Sequence, residues 1–303
     1  MSTTQSPIDT APSAVRARTN PIGIHALVWV GGWSPDEARH AIESTKRAGY
    51  DLIELAALDP ASFDADLTAQ LLKENDLQVA VSLGLAPETD VSSEDPDCVR
   101  RGRALLEQAL SLTRDVGGTY LGGVIYSKLG RYAAPVTERG RANSVESIAW
   151  LADEAAASGI TLGLEFCNRY ETNVLNTTAQ TLDFISEVGR PNVMAHLDVY
   201  HMNIEEESFA AAVHAAAGAG RLGYVHLGES HRGQLGTGSI PFDEFFTALD
   251  EVDYRGTLTF ESFSSAVVNP TLSSNLAIWR NTWTDSMDLA TRARSFITER
   301  FGA

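Results

Sequence analysis

A chain of 303 residues, 44% of them apolar, can bury a sizeable core as one large α/β domain or two small ones. Its 40 acidic residues outnumber 23 Lys and Arg, and the net charge of −17 repels nucleic acid and anionic membranes, leaving small molecules and metal ions as partners. The two cysteines, Cys98 and Cys167, make neither a disulfide framework nor a zinc-ligand spacing, as expected of a cytoplasmic protein.

Residues 1–20 are small and polar, without the apolar run of a signal peptide or membrane span, and read as a flexible N-terminal tail. Residues 21–303 are expected to form one catalytic domain. There, apolar runs at 22–28, 52–56, 79–83, 120–125, 161–166, 193–199, 222–227 and 257–260 alternate with amphipathic stretches. The stretches carry helix-start signals: "SPDE", with Ser34 as cap, Pro35 at the first position and Glu37 closing a capping box, then Asp95–Pro96, Asn176–Thr177 and Ile240–Pro241. Gly49, Gly117, Gly159 and Gly189 stand where helices end in a left-handed residue.

Strands apolar on nearly every residue are buried on both faces, which indicates a parallel sheet under helices. Eight such units, with no Gly-rich dinucleotide fingerprint after the first, predict a single α/β domain, a (β/α)₈ TIM barrel. The segment 271–301 is expected to supply the last helices.

In such a barrel the chemistry sits at the C-terminal ends of the strands. Strand five ends in Glu165, strand six in "AHLDVYH" with Asp198 and His201, strand seven in "YVHLGESHR" with His226, Glu229, His231 and Arg232, and strand eight in Glu261. Each of these groups alone could be an ordinary hydrogen-bonded structural residue. Together, Glu165, Asp198 and Glu261 are three carboxylates that resist burial side by side unless a cation joins them. With His226 they form an oxygen-rich set suited to Mn²⁺, Co²⁺ or Mg²⁺. His196, two residues before Asp198, is expected deeper in the barrel as a satisfied core histidine or a partner of the ligands. "GQLGTGS" (233–239) lacks the lysine of a phosphate loop and reads as a tight turn positioning Arg232. Free sugars are therefore expected over sugar phosphates.

The stretches "LEFCNRYETNVLNT", "HLDVYHMNIEEES", "YVHLGESHRGQLGTGSIPFDEFF" and "ESFSS" resemble the ketose 3-epimerase family, over nearly the whole chain from about residue 21. The resemblance implies that Glu165, Asp198, His226 and Glu261 bind a divalent metal, with Mn²⁺ the first choice. It also implies that Glu171, His201 and Arg232 hold the O1–O3 end of a ketose, and that the chain assembles as a homodimer or homotetramer. One departure is "FC" at Phe166–Cys167, where the family commonly has two aliphatic residues; by alternation Cys167 shares the face of Glu165 and reads as a packed thiol.

Inverting C3 requires a proton to leave one face and return on the other, so two carboxylates must flank that carbon. Glu165 and Glu261, on separated strands, are the expected acid–base pair. His25, Trp29, Trp33 and Phe263 are expected to wall the far end of the sugar, and Glu54, at the end of strand two, has no assigned role. The competing readings are an aldose–ketose isomerase of the same superfamily, a metal-dependent apurinic-site endonuclease, which the acidic charge disfavours, and a non-catalytic sugar-binding barrel.

Overall fold

The computed structural model describes residues 19–302. Among these residues, eight parallel strands close into a barrel in chain order. They are β1 (Ile22–His25), β2 (Leu52–Ala56), β3 (Gln78–Leu85), β4 (Tyr120–Lys128), β5 (Thr161–Glu165), β6 (Val193–Asp198), β7 (Leu222–Leu227) and β8 (Leu258–Phe260). The helices outside are α1 (Pro35–Arg47), α2 (Ala65–Glu74), α3 (Pro96–Asp115), α4 (Glu138–Ala156), α5 (Thr178–Val188), α6 (Val199–Glu205), α7 (Phe209–Gly218), α8 (Phe242–Glu251), α9 (Pro270–Asn275) and α10 (Ser286–Phe301). None of the described helices is long and apolar enough to cross a membrane.

The signals at Ser34, Asp95, Thr177 and Gly189 act as the sequence predicts. Ser34 and Glu37 form a reciprocal capping box ahead of α1, and Asp95 and Thr177 cap α3 and α5 through their side chains. Asn176 does not cap; its amide instead donates to the carbonyls of Cys167 and Thr172, pinning the loop after β5. The start at Ile240–Pro241 lacks a side-chain cap. Gly189 takes φ 65° to end α5 with its amide on the Ile185 carbonyl.

Strand β1 is shorter than its apolar run. After His25 the chain turns into a 3₁₀ segment, Ala26–Val28, whose first free amide, on Leu27, donates to His25 Nδ1 at 3.3 Å. Strands β3 and β4 run past their apolar cores, to Leu85 and Lys128.

The main core lies between strands and helices, where side chains such as Phe166, Phe184 and Phe245 are fully buried. Phe166 thus packs toward the helices, as alternation from Glu165 requires. Burying each such ring contributes about 1.5–3 kcal/mol. Inside the barrel, Leu52, Ala80, Tyr120 and Tyr224 form a floor, with Tyr120 and Tyr224 stacked at 4.3 Å.

The beginning and end of the chain are tied together. Ile22 pairs with Leu258, and Tyr50 donates its hydroxyl to the Ala290 carbonyl of α10. The tail expected over residues 1–20 lies, up to residue 18, outside the described residues; Asn20 belongs to the barrel, donating to the carbonyls of Tyr254 and Gly256.

Candidate active site

The last four strands deliver their ionisable groups to one level. Glu165 and Asp198 end β5 and β6, His226 is the penultimate residue of β7, and Glu261 directly follows β8. Register sets the height: Asp198 pairs with His226, and the Glu261 amide donates to the Leu227 carbonyl. All four are buried. One ligand atom from each lies within 4.8 Å of the others. His226 Nδ1 is the common neighbour, 3.1 Å from Glu165 Oε1, 3.5 Å from Glu261 Oε1 and 3.9 Å from Asp198 Oδ2.

The electrostatics of this cluster favour a cation among its groups. Burial lifts Asp198 above the usual carboxylate range. Burial likewise lifts Glu261 well above it, with Asp198 and Glu165 pushing the same way against the pull of His226 and Arg232. Glu165 goes the other way: burial opposes its charge, but His226 and His196 beside it hold it below the ordinary value. Burial also works against a charged His226, yet Glu54, Glu165 and Glu261 lift it well above an ordinary histidine. Asp198 Oδ2 is buried with no hydrogen-bond partner. An orphaned carboxylate oxygen among three acidic groups and one imidazole fits a hard divalent cation.

Two further groups of donors overlap this one. Glu165, His196 and His226 come within the same distance, as do Glu165, Cys167 and His201. Cys167 lines the cavity beside Glu165, but burial pushes its thiol well up, with Glu165 adding to the shift, so it is not a ready thiolate. His196 corrects the expectation of a satisfied core histidine: it is fully buried, and neither ring nitrogen has a hydrogen-bond partner. It stands edge-on to His226 at 4.1 Å, and burial lowers its pKa to about 3, so it packs as a neutral ring.

Glu54 carries more than the sequence indicates. It points into the barrel from β2, fully buried, with Oε2 2.8 Å from His226 Nε2. Its alternation with Leu52 and Ala56 marks the inward face, but nothing local names its partner.

Arg232 links the cluster to Glu171. Its Nη1 donates to Glu261 Oε2 at 3.0 Å and its Nη2 to Glu171 Oε1 at 3.2 Å, while the guanidinium stacks over Tyr200 at 3.9 Å and Phe263 at 4.7 Å. The residue sits at φ 57°, a left-handed conformation unusual for arginine. Its amide donates to the Glu229 carbonyl, and its own carbonyl accepts the Ser262 hydroxyl. Glu229 is fully buried and accepts from the amides of Ser230, Gly236 and Ile240. The glycine-rich loop therefore already encloses an anion of its own, which accounts for its tight turn. His231 belongs to the same loop, contacting Thr237 Oγ1.

The cavity is lined by both charged and apolar side chains. Glu165, Glu171, His201, His226, Arg232 and Glu261 line it together with apolar residues such as Leu27, Leu58, Leu129, Leu272 and Leu276. His25 and Phe263 are on the wall, their rings 5.8 Å apart. Burial lowers the pKa of His25 to about 4, so its ring is neutral. Trp29 and Trp33 are not among the lining residues. The 3₁₀ turn breaks the alternation of β1, placing Leu27 on the wall and burying Trp29 in the main core, while Trp33 stacks on Phe63 and donates to Thr68.

The chain is thus a closed parallel barrel that gathers three carboxylates and an imidazole at the C-terminal ends of its strands, where enzymes of this fold place their chemistry. A family model described as xylose isomerase-like TIM barrel matches residues 42–290. The chain is 54% identical to the L-ribulose 3-epimerase of Methylomonas sp. (strain DH-1), over 92% of this chain and 97% of that protein. It is 48% identical to the ketose 3-epimerase of Arthrobacter globiformis, over 93% and 97%. The solved structure of D-allulose 3-epimerase from Methylomonas sp. in complex with D-allulose superposes with a TM-score of 0.90 at 53% identity, covering 94% of this chain and 99% of that one. The chain belongs to the ketose 3-epimerases, isomerases within the xylose isomerase-like TIM barrels.

Proposed function

We propose that the protein inverts free ketoses at C3, interconverting pairs such as D-fructose and D-allulose, D-tagatose and D-sorbose, or L-ribulose and L-xylulose. The observation that carries this reading is the convergence of Glu165 from β5 and Glu261 from β8 on one point, each with an oxygen within 3.5 Å of His226 Nδ1. Glu165, Asp198, His226 and Glu261 would hold a divalent cation, Mn²⁺ as first choice with Co²⁺ and Mg²⁺ as alternatives, which would supply Lewis-acid stabilisation of charge developing at the C2 carbonyl. Glu165 and Glu261 face C3 from opposite sides. One removes the C3 proton, leaving an enediolate, and the other protonates the opposite face, the roles exchanging with the substrate's configuration. Glu171 accepts from the hydroxyls at the O1–O2 end, Arg232 and His201 donate to it, and His25 and Phe263 keep water from the reacting carbons.

The reading favours C3 over the C1–C2 transfer of an aldose–ketose isomerase because the relatives are named as 3-epimerases. Free sugars are favoured because the loop amides that could cradle a phosphate are engaged by Glu229. We place the protein in the cytoplasm as a homodimer or homotetramer, in keeping with its two free cysteines and its family.

The test is NMR of D-fructose, D-tagatose and L-ribulose in D₂O with metal-stripped protein, before and after Mn²⁺. Deuterium at C3 with the C3 epimer, appearing only with metal, is the expected result. Exchange at C1 or C2 with aldose product overturns it in favour of the isomerase.

A further inference from the structure

Asn168, three residues past Glu165, is buried, and every polar group it has is directed at Glu171, His201 or the turn between Asn168 and Glu171. Its backbone amide donates to His201 Nδ1 at 3.1 Å, and its carbonyl accepts the Glu171 amide at 2.9 Å. In the side chain, Oδ1 accepts the Tyr170 amide at 2.9 Å, while Nδ2 reaches Glu171 Oε1 at 3.0 Å and His201 Nδ1 at 2.9 Å.

These contacts determine the orientation of the amide. Flipping it would set an NH₂ against the Tyr170 N–H and a carbonyl oxygen against the Glu171 carboxylate, two repulsive contacts in place of two hydrogen bonds. Nδ2 is therefore the donor, and His201 Nδ1, approached by two N–H groups, is the acceptor. A neutral imidazole that accepts at Nδ1 carries its proton at Nε2. That nitrogen lies on the side of Asp198, 3.8 Å from Oδ2. His201 is thus set as a donor and Glu171 as an acceptor.

We infer that Asn168 is a positioning residue of the ketose site, which holds Glu171 as acceptor and His201, in its Nε2–H tautomer, as donor at a fixed separation. Asparagine alone offers a donor and an acceptor on opposite sides of one short planar group. Aspartate would put a negative oxygen against both Glu171 and the Nδ1 lone pair. Serine reaches one partner at most.

The inference rests on the proposed ketose reading for its effect on turnover, but not for its geometry, and the two are tested separately. In Mg²⁺-loaded protein labelled with ¹⁵N-histidine, His201 is assigned among the seven histidines by its loss in His201→Gln. The expected spectrum has a proton on Nε2 and none on Nδ1; a proton on Nδ1 overturns the inference whatever the enzyme's activity. In Asn168→Asp, which conserves shape, KM for L-ribulose is expected to rise about tenfold or more, with kcat reduced far less, because Glu171 loses a hydrogen-bond donor and meets a second negative oxygen instead. An unchanged KM in this variant overturns it. Wild-type protein that turns over no ketose removes the functional reading, while the tautomer result still decides the geometry.

Discussion

Glu54 Oε2 stands 2.8 Å from His226 Nε2, a carboxylate from β2 holding an imidazole from β7 across the inside of the barrel. Burial opposes a charge on Glu54, but His226 beside it outweighs that and lowers its pKa to about 2. The ionised carboxylate keeps a proton on Nε2, leaving Nδ1 to face Glu165, Asp198 and Glu261 as a metal ligand.

Replacing Glu54 by Gln is expected to weaken Mn²⁺ or Mg²⁺ binding by about 10–100-fold, because the imidazole loses its orienting charge. Calorimetric titration of the metal-stripped protein checks this. Equal affinities in wild type and variant would leave Glu54 a packing residue.

Metal binding is expected to release protons. In the metal-free protein the surrounding carboxylates lift His226 well above its ordinary value despite burial. A cation must displace the Nδ1 proton, so affinity is weakest at low pH and strengthens as pH rises toward that lifted value. Calorimetry in two buffers of different ionisation enthalpy reads the proton count; identical heats in both would refute it.

Chelation is expected to lower thermal stability. A cation present at about 100 times its Kd adds about 2.7 kcal/mol, or a few degrees in melting temperature for a chain of this size. Scans with and without EDTA, followed by Mg²⁺ add-back, measure it. A melting temperature indifferent to both would mean that the folded chain gains nothing from the ion.

Glu229→Ala is expected to destabilise the protein by about 2–4 kcal/mol, since the amides of Ser230, Gly236 and Ile240 lose their shared acceptor. Urea unfolding gives the value. Because Arg232 hangs from the Glu229 carbonyl, KM for a ketose rises as well; a change in stability below about 0.5 kcal/mol would show that water replaces the carboxylate freely.

The barrel and its cation cluster were legible because their signals are local. Apolar runs read as doubly buried strands whatever lies around them, and a carboxylate ending such a run, as Glu165 does, has few inexpensive structural explanations. What escaped depends on distance or on backbone turning. Glu54 meets its partner 172 residues later, and no pattern within β2 encodes that. Trp29 stands close to the first strand in sequence, but the 3₁₀ turn that His25 initiates carries it into the main core. His196 is expected to find hydrogen-bond partners, whereas its ring makes T-shaped contacts with His226, Tyr224 and Tyr120. Asn168 lay in plain view within "NRYE", but the role of an amide depends on which of its ends faces a donor.

The pairing of Ile22 with Leu258 joins strands whose synthesis is separated by 236 residues. At about 5–20 residues per second, the first strand waits roughly ten to fifty seconds on the ribosome for its neighbour. Glu261 emerges with that last strand, so a nascent chain holding Glu165, Asp198 and His226 lacks both its final ligand and its closing seam. Closure of the barrel and completion of the four-residue cluster are one event in biogenesis.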